Sequence, residues 1–147
     1  MLYDWCSSGD DRYIYRYSVD GRFTKLFACP EFTGSYLGYD GEHLYLSQWY
    51  KHRILKFDGR GNIISQINVG TEICGHTFAD GLLYVVLGKE RPDEDWQIAR
   101  LDPCDEAPMI EDLATVPFAA RSLTFDGELF WSYYRARDTT IAFTVPS

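Results

Sequence analysis

Three pairs of polar residues stand where short apolar segments begin, and their side chains suit the binding of a small molecule. The pairs are Ser35-Tyr36, Gly75-His76 and Arg121-Ser122. His76 could act as a general base or a metal ligand, Arg121 could hold an anionic group, and Tyr36 could stack or donate a hydrogen bond. We predict one ligand-binding site from Ser35, Tyr36, His76, Arg121 and Ser122, with His76 as its sole catalytic candidate. Alternatively, these groups only satisfy one another and bound water.

A sequence pattern that occurs three times predicts the strands and turns that position these residues. Each pair leads into an Asp-Gly step, and a second apolar segment follows it. The steps are Asp40-Gly41, Asp80-Gly81 and Asp126-Gly127, and the second segments include Leu44-Tyr-Leu-Ser47 and Leu129-Phe-Trp-Ser132. Asp-Gly between two such segments indicates a β-hairpin, in which aspartate caps the turn and glycine takes a positive φ. We therefore assign the three aspartates to structure rather than to acid-base chemistry.

The spacing of the turns indicates a β-propeller. Asp40 and Asp80 lie 40 residues apart, and Asp80 and Asp126 lie 46 residues apart, which is the period of four-stranded blades. A polar insertion at 88–95 accounts for the longer interval and is predicted to be a surface loop. Third strands share an isoleucine at Ile14, Ile54, Ile98 and Ile141, and outer strands are predicted at 23–28, 63–69 and 109–116. No segment has helical periodicity, so the predicted class is all-β.

The first and last repeats are shorter than the two repeats between them. The chain is predicted to be one domain, 1–147, with repeats at about 1–30, 31–70, 71–116 and 117–147. The first repeat lacks its innermost strand and the last lacks its outermost, so the blades hold about 3, 4, 4 and 3 strands. Three arrangements follow: two chains in a larger ring, a four-bladed monomer, or a fragment that survives by domain exchange. We favour the homodimeric ring, because open half-rings would expose apolar blade faces.

One family of repeats resembles this chain. The stretch from Leu37-Gly-Tyr-Asp-Gly-Glu-His-Leu-Tyr-Leu-Ser47 through Arg53-Ile-Leu-Lys-Phe-Asp-Gly-Arg-Gly-Asn-Ile-Ile64 resembles the repeat of NHL-type propellers. It is similar also to repeats of the senescence-marker-protein/gluconolactonase group and of glutamine-cyclotransferase-like propellers. The resemblance implies a propeller fold, whose members include lactonases, cyclotransferases, lyases and binding scaffolds. The lactonase branch would imply calcium, held by one Glu and several Asn or Asp residues.

Composition limits the partners. The net charge of −8 disfavours nucleic acid and anionic membranes, whose phosphates would be repelled, and makes a cationic or neutral ligand easier to accommodate. No apolar run reaches the length of a membrane span, and the N-terminus has no basic or hydrophobic leader, so we predict a cytoplasmic protein. The cysteines, Cys6, Cys29, Cys74 and Cys104, are expected to be reduced and mostly buried, with Cys104 the most exposed.

The function predicted from these residues is binding. No complete catalytic constellation is present beside the repeat, so we predict a non-enzymatic scaffold that binds a small molecule or a protein at the mouth of the central channel. No cofactor is predicted, although calcium would accompany a lactonase-like site. The alternative is a hydrolase or lyase of the lactonase or cyclotransferase type, with His76 as the acid-base residue and Arg121 and Tyr36 positioning the substrate.

Overall fold

The protein is built from β-strands, as its sequence predicts. The computed structural model describes residues 2–6, 12–88 and 95–146. Fourteen strands are described, and the helical segments among these residues are three short 3-10 turns, Pro30–Phe32, Trp49–Lys51 and Arg135–Arg137. None of them is long and apolar enough to cross a membrane. The insertion predicted at 88–95 lies mostly outside the described residues.

The strands form four separate antiparallel sheets in chain order. The first holds β1 (Leu2–Cys6), β2 (Tyr13–Tyr17) and β3 (Phe23–Ala28); the second holds β4 (Tyr36–Tyr39), β5 (Leu44–Gln48), β6 (Arg53–Phe57) and β7 (Ile63–Asn68). The third holds β8 (Ile73–Ala79), β9 (Leu82–Leu87), β10 (Trp96–Leu101) and β11 (Glu111–Val116); the fourth holds β12 (Thr124–Phe125), β13 (Phe130–Tyr134) and β14 (Thr139–Phe143). The strand counts are 3, 4, 4 and 3, which agrees with the register of the repeat.

The sheets pack on one another in the order of the chain. One apolar cluster, which includes Ile14 and Phe57, joins the first sheet to the second. A second cluster around Tyr45 and Leu83 joins the second sheet to the third, and a third cluster around Ile98 and Phe130 joins the third to the fourth. The strands β1, β4, β8 and β12 adjoin one another in succession. Each sheet therefore buries a face on its neighbour.

The Asp-Gly turns have the structural role that the sequence predicts. Asp40 Oδ1 accepts hydrogen bonds from the backbone N–H groups of Glu42 (2.8 Å) and His43 (2.7 Å). Asp126 repeats this arrangement in its own turn. The hairpin at Asp80 is shorter, and there both Asp80 and Gly81 have positive φ, 52° and 79°. Such two-residue turns favour aspartate and glycine because both tolerate the left-handed region.

The cysteines require one correction. Cys74 is buried and free, and Cys104 is exposed and free, as expected. Cys29, however, is disulfide-bonded rather than reduced, although it is buried as predicted. The spacing of the cysteines in sequence did not indicate this disulfide, because folding brings together residues that lie far apart in the chain. Disulfides are commonest in oxidising compartments, so the cysteines give the predicted cytoplasmic location no support.

Candidate functional site

A pocket of about 250 Å³ lies at the edge where β4, β8 and β12 begin. It collects residues from these strand starts and from two of the 3-10 turns. The lining residues are Ser35, Tyr36, Trp49, Ile73, Cys74, Arg121 and Arg135. The pocket therefore joins residues of the second, third and fourth sheets, and three of the five predicted site residues, Ser35, Tyr36 and Arg121, are among them.

Tyr36 ties the second sheet to the fourth. Its hydroxyl donates a hydrogen bond of 2.7 Å to the backbone carbonyl of Arg121. Burial raises the pKa of Tyr36, the neighbouring Cys74 raises it further and Arg121 opposes this, so the phenol stays protonated. The Tyr36 hydroxyl thus holds the main chain at Arg121 and positions its guanidinium.

The two arginines of the pocket have no anionic partner in the described part of the chain. None of the ion pairs found there involves Arg121 or Arg135. The polar contact recorded for the Arg121 guanidinium is Nη1 to the Cys74 Sγ atom, at 3.8 Å. By contrast, Lys51 and Arg53 share Glu31, and Arg100 pairs with Glu111. The residues that line the pocket therefore include two positively charged side chains and no carboxylate, although the protein is acidic overall.

Trp49, which also lines the pocket, has a buried hydrogen-bond donor. Its indole Nε1 atom is buried and has no hydrogen-bond partner among the described residues. The indole packs on Tyr50, with ring centroids 4.2 Å apart. A buried N–H group without an acceptor is unfavourable.

Two buried serines hold the strand starts, and the sequence reasoning did not single them out as positioning groups. Ser47 is fully buried, and its Oγ atom accepts a hydrogen bond of 3.1 Å from the Tyr36 backbone N–H. Ser132 is also buried, and its Oγ atom donates a hydrogen bond of 2.7 Å to the Ser122 carbonyl. Each serine is the last residue of one copy of the repeated sequence pattern. This shared position could have identified them from the sequence.

Gly75 permits the close approach of β8 to the fourth sheet. A Cβ atom at this position would lie 2.7 Å from the backbone nitrogen of Leu123 and from the carbonyl carbon of Ser122. No side chain fits in that space. Glycine therefore brings Cys74 beside Arg121 and closes one wall of the pocket.

His76 and Ser122 do not line this pocket. The Ser122 hydroxyl instead accepts a hydrogen bond of 3.0 Å from the Tyr133 backbone N–H. At β8 the lining positions are Ile73 and Cys74, a shift toward the N-terminus from the predicted pair. The turn at Asp80 is two residues long, whereas those at Asp40 and Asp126 are four, and a bulge lies between Ile73 and Gly75. Counting back from each Asp-Gly therefore gives different register positions in the three hairpins.

His76 lies between two sheets. It is 5% exposed, and neither ring nitrogen has a partner in good hydrogen-bonding geometry within the described part of the chain. The ring lies against Gly38 of β4, where an added Cβ atom would be 2.9 Å from Nε2. Burial lowers the pKa of His76 to about 4, and the Tyr45 main chain opposes the shift. The imidazole is therefore neutral at pH 7.

The pocket does not fit a calcium ion. Calcium takes carboxylate and carbonyl oxygens, whereas the side chains here include two guanidinium groups and no carboxylate. Across residues 12–88 and 95–146, no group of three His, Cys, Asp or Glu side chains is arranged to hold a metal. The calcium that the lactonase resemblance implies therefore has no site in the described residues.

Comparison with known proteins adds no information about this pocket. No protein-family model matches the chain, and no curated protein matches it. The pocket must therefore be interpreted from its own residues.

Replacing Tyr36 by phenylalanine is expected to weaken ligand binding by about tenfold, because losing one hydrogen bond frees the main chain at Arg121. Calorimetric titration of both proteins with malonate would measure the change. Tyr39→Phe is the matched control, since Tyr39 also donates to a carbonyl, that of Gly41, but away from the pocket. Equal weakening by both variants would contradict a positioning role for Tyr36.

The two free thiols are expected to differ in reactivity. Burial raises the pKa of the Cys74 thiol although the Arg121 guanidinium opposes the shift, so the reactive thiolate is scarce. We expect Cys74 to react with iodoacetamide at least about tenfold more slowly than the exposed Cys104. Mass spectrometry of the digested protein would follow each site. A Cys74 rate equal to that of Cys104 would mean that the pocket opens freely to solvent.

Proposed function

We propose that the protein binds a small anionic molecule, carrying a carboxylate or phosphate group, in the pocket between Tyr36 and Arg121. The observation that carries this proposal is that two guanidinium groups, Arg121 and Arg135, line one pocket and pair with no carboxylate of the described residues, in a chain whose net charge is −8. Guanidinium groups bind carboxylates and phosphates through two parallel hydrogen bonds. Ser35, which carries a hydroxyl group, lines the same pocket.

The size of the pocket restricts the ligand. A volume of about 250 Å³ is below the usual range for drug-sized ligands, ~300 to 1,000 Å³. A dicarboxylate, a benzoate-sized acid or inorganic phosphate fits such a space. A nucleotide or a polymer would place only its charged group inside.

Binding without catalysis is favoured over hydrolase or lyase chemistry by the position of His76. A general base must reach the proton that it removes, directly or through one water molecule. His76 is buried against Gly38 and does not line the pocket that holds Tyr36 and Arg121. Cys74, which does line it, is held as a thiol by burial.

We also propose that the four sheets are the blades of a propeller of the NHL or gluconolactonase-like type. Support comes from the sheet order, from the four adjoining strands β1, β4, β8 and β12, and from a pocket at the starts of β4, β8 and β12, near the region where propellers bind ligands. Completion of the ring by a second chain is tested by the solution mass. Light scattering that gives one chain per particle at micromolar concentration would contradict the homodimer.

The experiment that tests the proposed ligand class compares anions with neutral molecules of the same shape. Malonate is paired with malonamide and benzoate with benzamide, at equal ionic strength, and thermal unfolding is measured with each. A ligand that binds the native state raises the melting temperature. We expect the anions to raise it and the amides to have no effect. Equal shifts with acid and amide, or no shift with any anion, would overturn the proposal.

A further inference from the structure

The residues of the anion pocket differ in burial according to their chemistry. Three of them are exposed to solvent and form what we call the rim: Ser35, Arg121 and Arg135. The other four form the inner wall: Tyr36, Trp49, Ile73 and Cys74. Tyr36 and Trp49 are half-buried, whereas Ile73 and Cys74 are buried. The charged groups are therefore the most accessible part of the lining, and the aromatic and apolar groups are the more deeply buried part.

The polar atoms of the inner wall are already engaged or covered. The Tyr36 hydroxyl donates its proton to the Arg121 carbonyl, and the Cys74 Sγ atom accepts from the Arg121 guanidinium. The Trp49 Nε1 atom is buried, so the accessible part of this half-buried residue is not its indole N–H group. What the inner wall offers a ligand is therefore mostly ring and aliphatic carbon.

Two kinds of small anion would use this lining differently. A dianion such as malonate would place its charges on the two guanidinium groups of the rim and leave the inner wall uncovered. A second charge directed inward would lose its hydration without gaining a hydrogen bond, which is unfavourable. A monoanion with an apolar body pairs its carboxylate with the rim and removes carbon surface of the inner wall from water, and this burial adds to its affinity.

We propose that the ligand of the pocket is a carboxylic acid that carries one charge and a compact apolar ring, with the carboxylate at the rim and the ring against the inner wall. A pocket of about 250 Å³ has room for an acid of the size of benzoate. The rings of Tyr36 and Trp49 favour an aromatic body, because aromatic pairs gain from offset or edge-to-face packing. This inference rests on the proposed anion binding and adds the class and the orientation of the ligand.

The ligand class is tested on the unaltered chain by calorimetric titration at pH 7 and equal ionic strength. The probes are benzoate, acetate, malonate and benzamide. We expect benzoate to bind at least about tenfold more tightly than acetate or malonate, because its ring buries carbon surface, and benzamide not to bind. Acetate or malonate binding as tightly as benzoate would overturn this inference and leave anion binding intact. Binding of no anion, or of benzamide as tightly as benzoate, would overturn the proposed function as well.

A substitution in the inner wall separates the contribution of the ring from that of the charge. Trp49→Leu is expected to weaken benzoate binding by about 3- to 10-fold and to leave malonate binding unchanged, because leucine keeps an apolar side chain but removes the aromatic face. Trp131→Leu is the matched control, since Trp131 does not line the pocket, and it should change neither affinity. Benzoate binding that Trp49→Leu leaves unchanged, or weakens no more than malonate binding, would contradict a ring placed against Trp49.

The orientation is measured without any substitution. The ring current of bound benzoate should move the methyl signals of Ile73 in ¹H–¹³C spectra, whereas malonate, which has no ring, should leave them in place. The methyl signals of Ile63, which is 50% exposed and does not line the pocket, provide the control. Benzoate that moves the Arg121 side-chain signal but not the Ile73 methyl signals would be bound with its ring outward. That result would overturn the proposed orientation while anion binding stood.

Discussion

Substitution of Arg121 by methionine is expected to weaken malonate binding by about 10- to 150-fold. Methionine keeps an unbranched, apolar stem but removes the guanidinium group, and a hydrogen bond to a charged group contributes roughly 1.5 to 3 kcal/mol. Isothermal titration calorimetry of the purified variant would measure the dissociation constant. The weakening should appear without loss of folding, since the Arg121 side chain is exposed and its backbone contacts with Tyr36 and Tyr133 do not need the guanidinium.

Two further arginines make this test specific. Arg135→Met should also weaken binding, because Arg135 lines the same pocket. Arg137→Met is the matched control: it lies in the same 3-10 turn and removes the same charge, but Arg137 is not a lining residue. If Arg137→Met reduced affinity as much as Arg121→Met, the effect would be one of overall charge, and the pocket would not be the binding site.

The pH dependence of stability is the second large effect. His76 has a pKa of about 4 in the folded protein and an ordinary value of 6.5 when unfolded. The unfolded chain therefore binds the proton more tightly, and stability falls as the pH is lowered from about 6.5 towards 4. Over this window we expect a loss of about 3 kcal/mol in the free energy of unfolding, given ~1.4 kcal/mol for each pKa unit. Urea unfolding at a series of pH values would measure it.

The control for this effect is a second histidine. His76→Leu should remove most of the loss between pH 6.5 and 4, whatever its effect on stability at neutral pH. His52→Asn should leave the loss unchanged, since His52 lies in a turn, and asparagine tolerates its φ of 53°. Asp58 and Asp126 titrate in a lower window: hydrogen bonds from Asn62 and Leu129 lower the pKa of these carboxyl groups below 3.8. A loss confined to that lower window would contradict a neutral, buried His76.

The repeat determined how much of the fold could be predicted. The outer strand at 23–28 matches β3, and those predicted at 63–69 and 109–116 differ from β7 and β11 by one or two residues at one end. These boundaries follow from local signals, namely turn residues and alternating apolar side chains, which the sequence contains explicitly. The disulfide at Cys29 depends on which strands adjoin, and no local signal reports that.

The candidate site was predicted in part for the same reason. Ser35, Tyr36 and Arg121 were aligned by counting back from Asp-Gly, and the two hairpins that contain them have turns of equal length. At β8 the shorter turn and the bulge break that count, so His76 was placed in the site and Cys74 was missed. Trp49 and Arg135 lie in turns after the second strands, where no periodic pattern marks them.

Net charge and the pocket favour different ligands. The total of −8 favours a cationic or neutral partner, whereas the pocket contains two guanidinium groups that pair with no carboxylate among the described residues. The acidic residues nearest to other cations neutralise them locally, as Glu31 does for Lys51 and Arg53. Interactions between exposed charges are screened over about 10 Å, so a ligand responds to the pocket more than to the whole surface. The proposed ligand class therefore rests on the local pairing of charges, which only the structure gives.

The indole and guanidinium N–H signals of the pocket report most directly whether a small anion binds there. In ¹H–¹⁵N spectra, titration with malonate should move the signals of the Arg121 and Arg135 side chains and of Trp49 Nε1 along one saturation curve, since these three residues line the pocket. The Arg137 and Trp131 signals should stay in place, because Trp131 Nε1 already donates to Asp126. Saturable shifts at those two residues without shifts at Trp49 and Arg121, or no saturable shift at all, would contradict an anion site in this pocket.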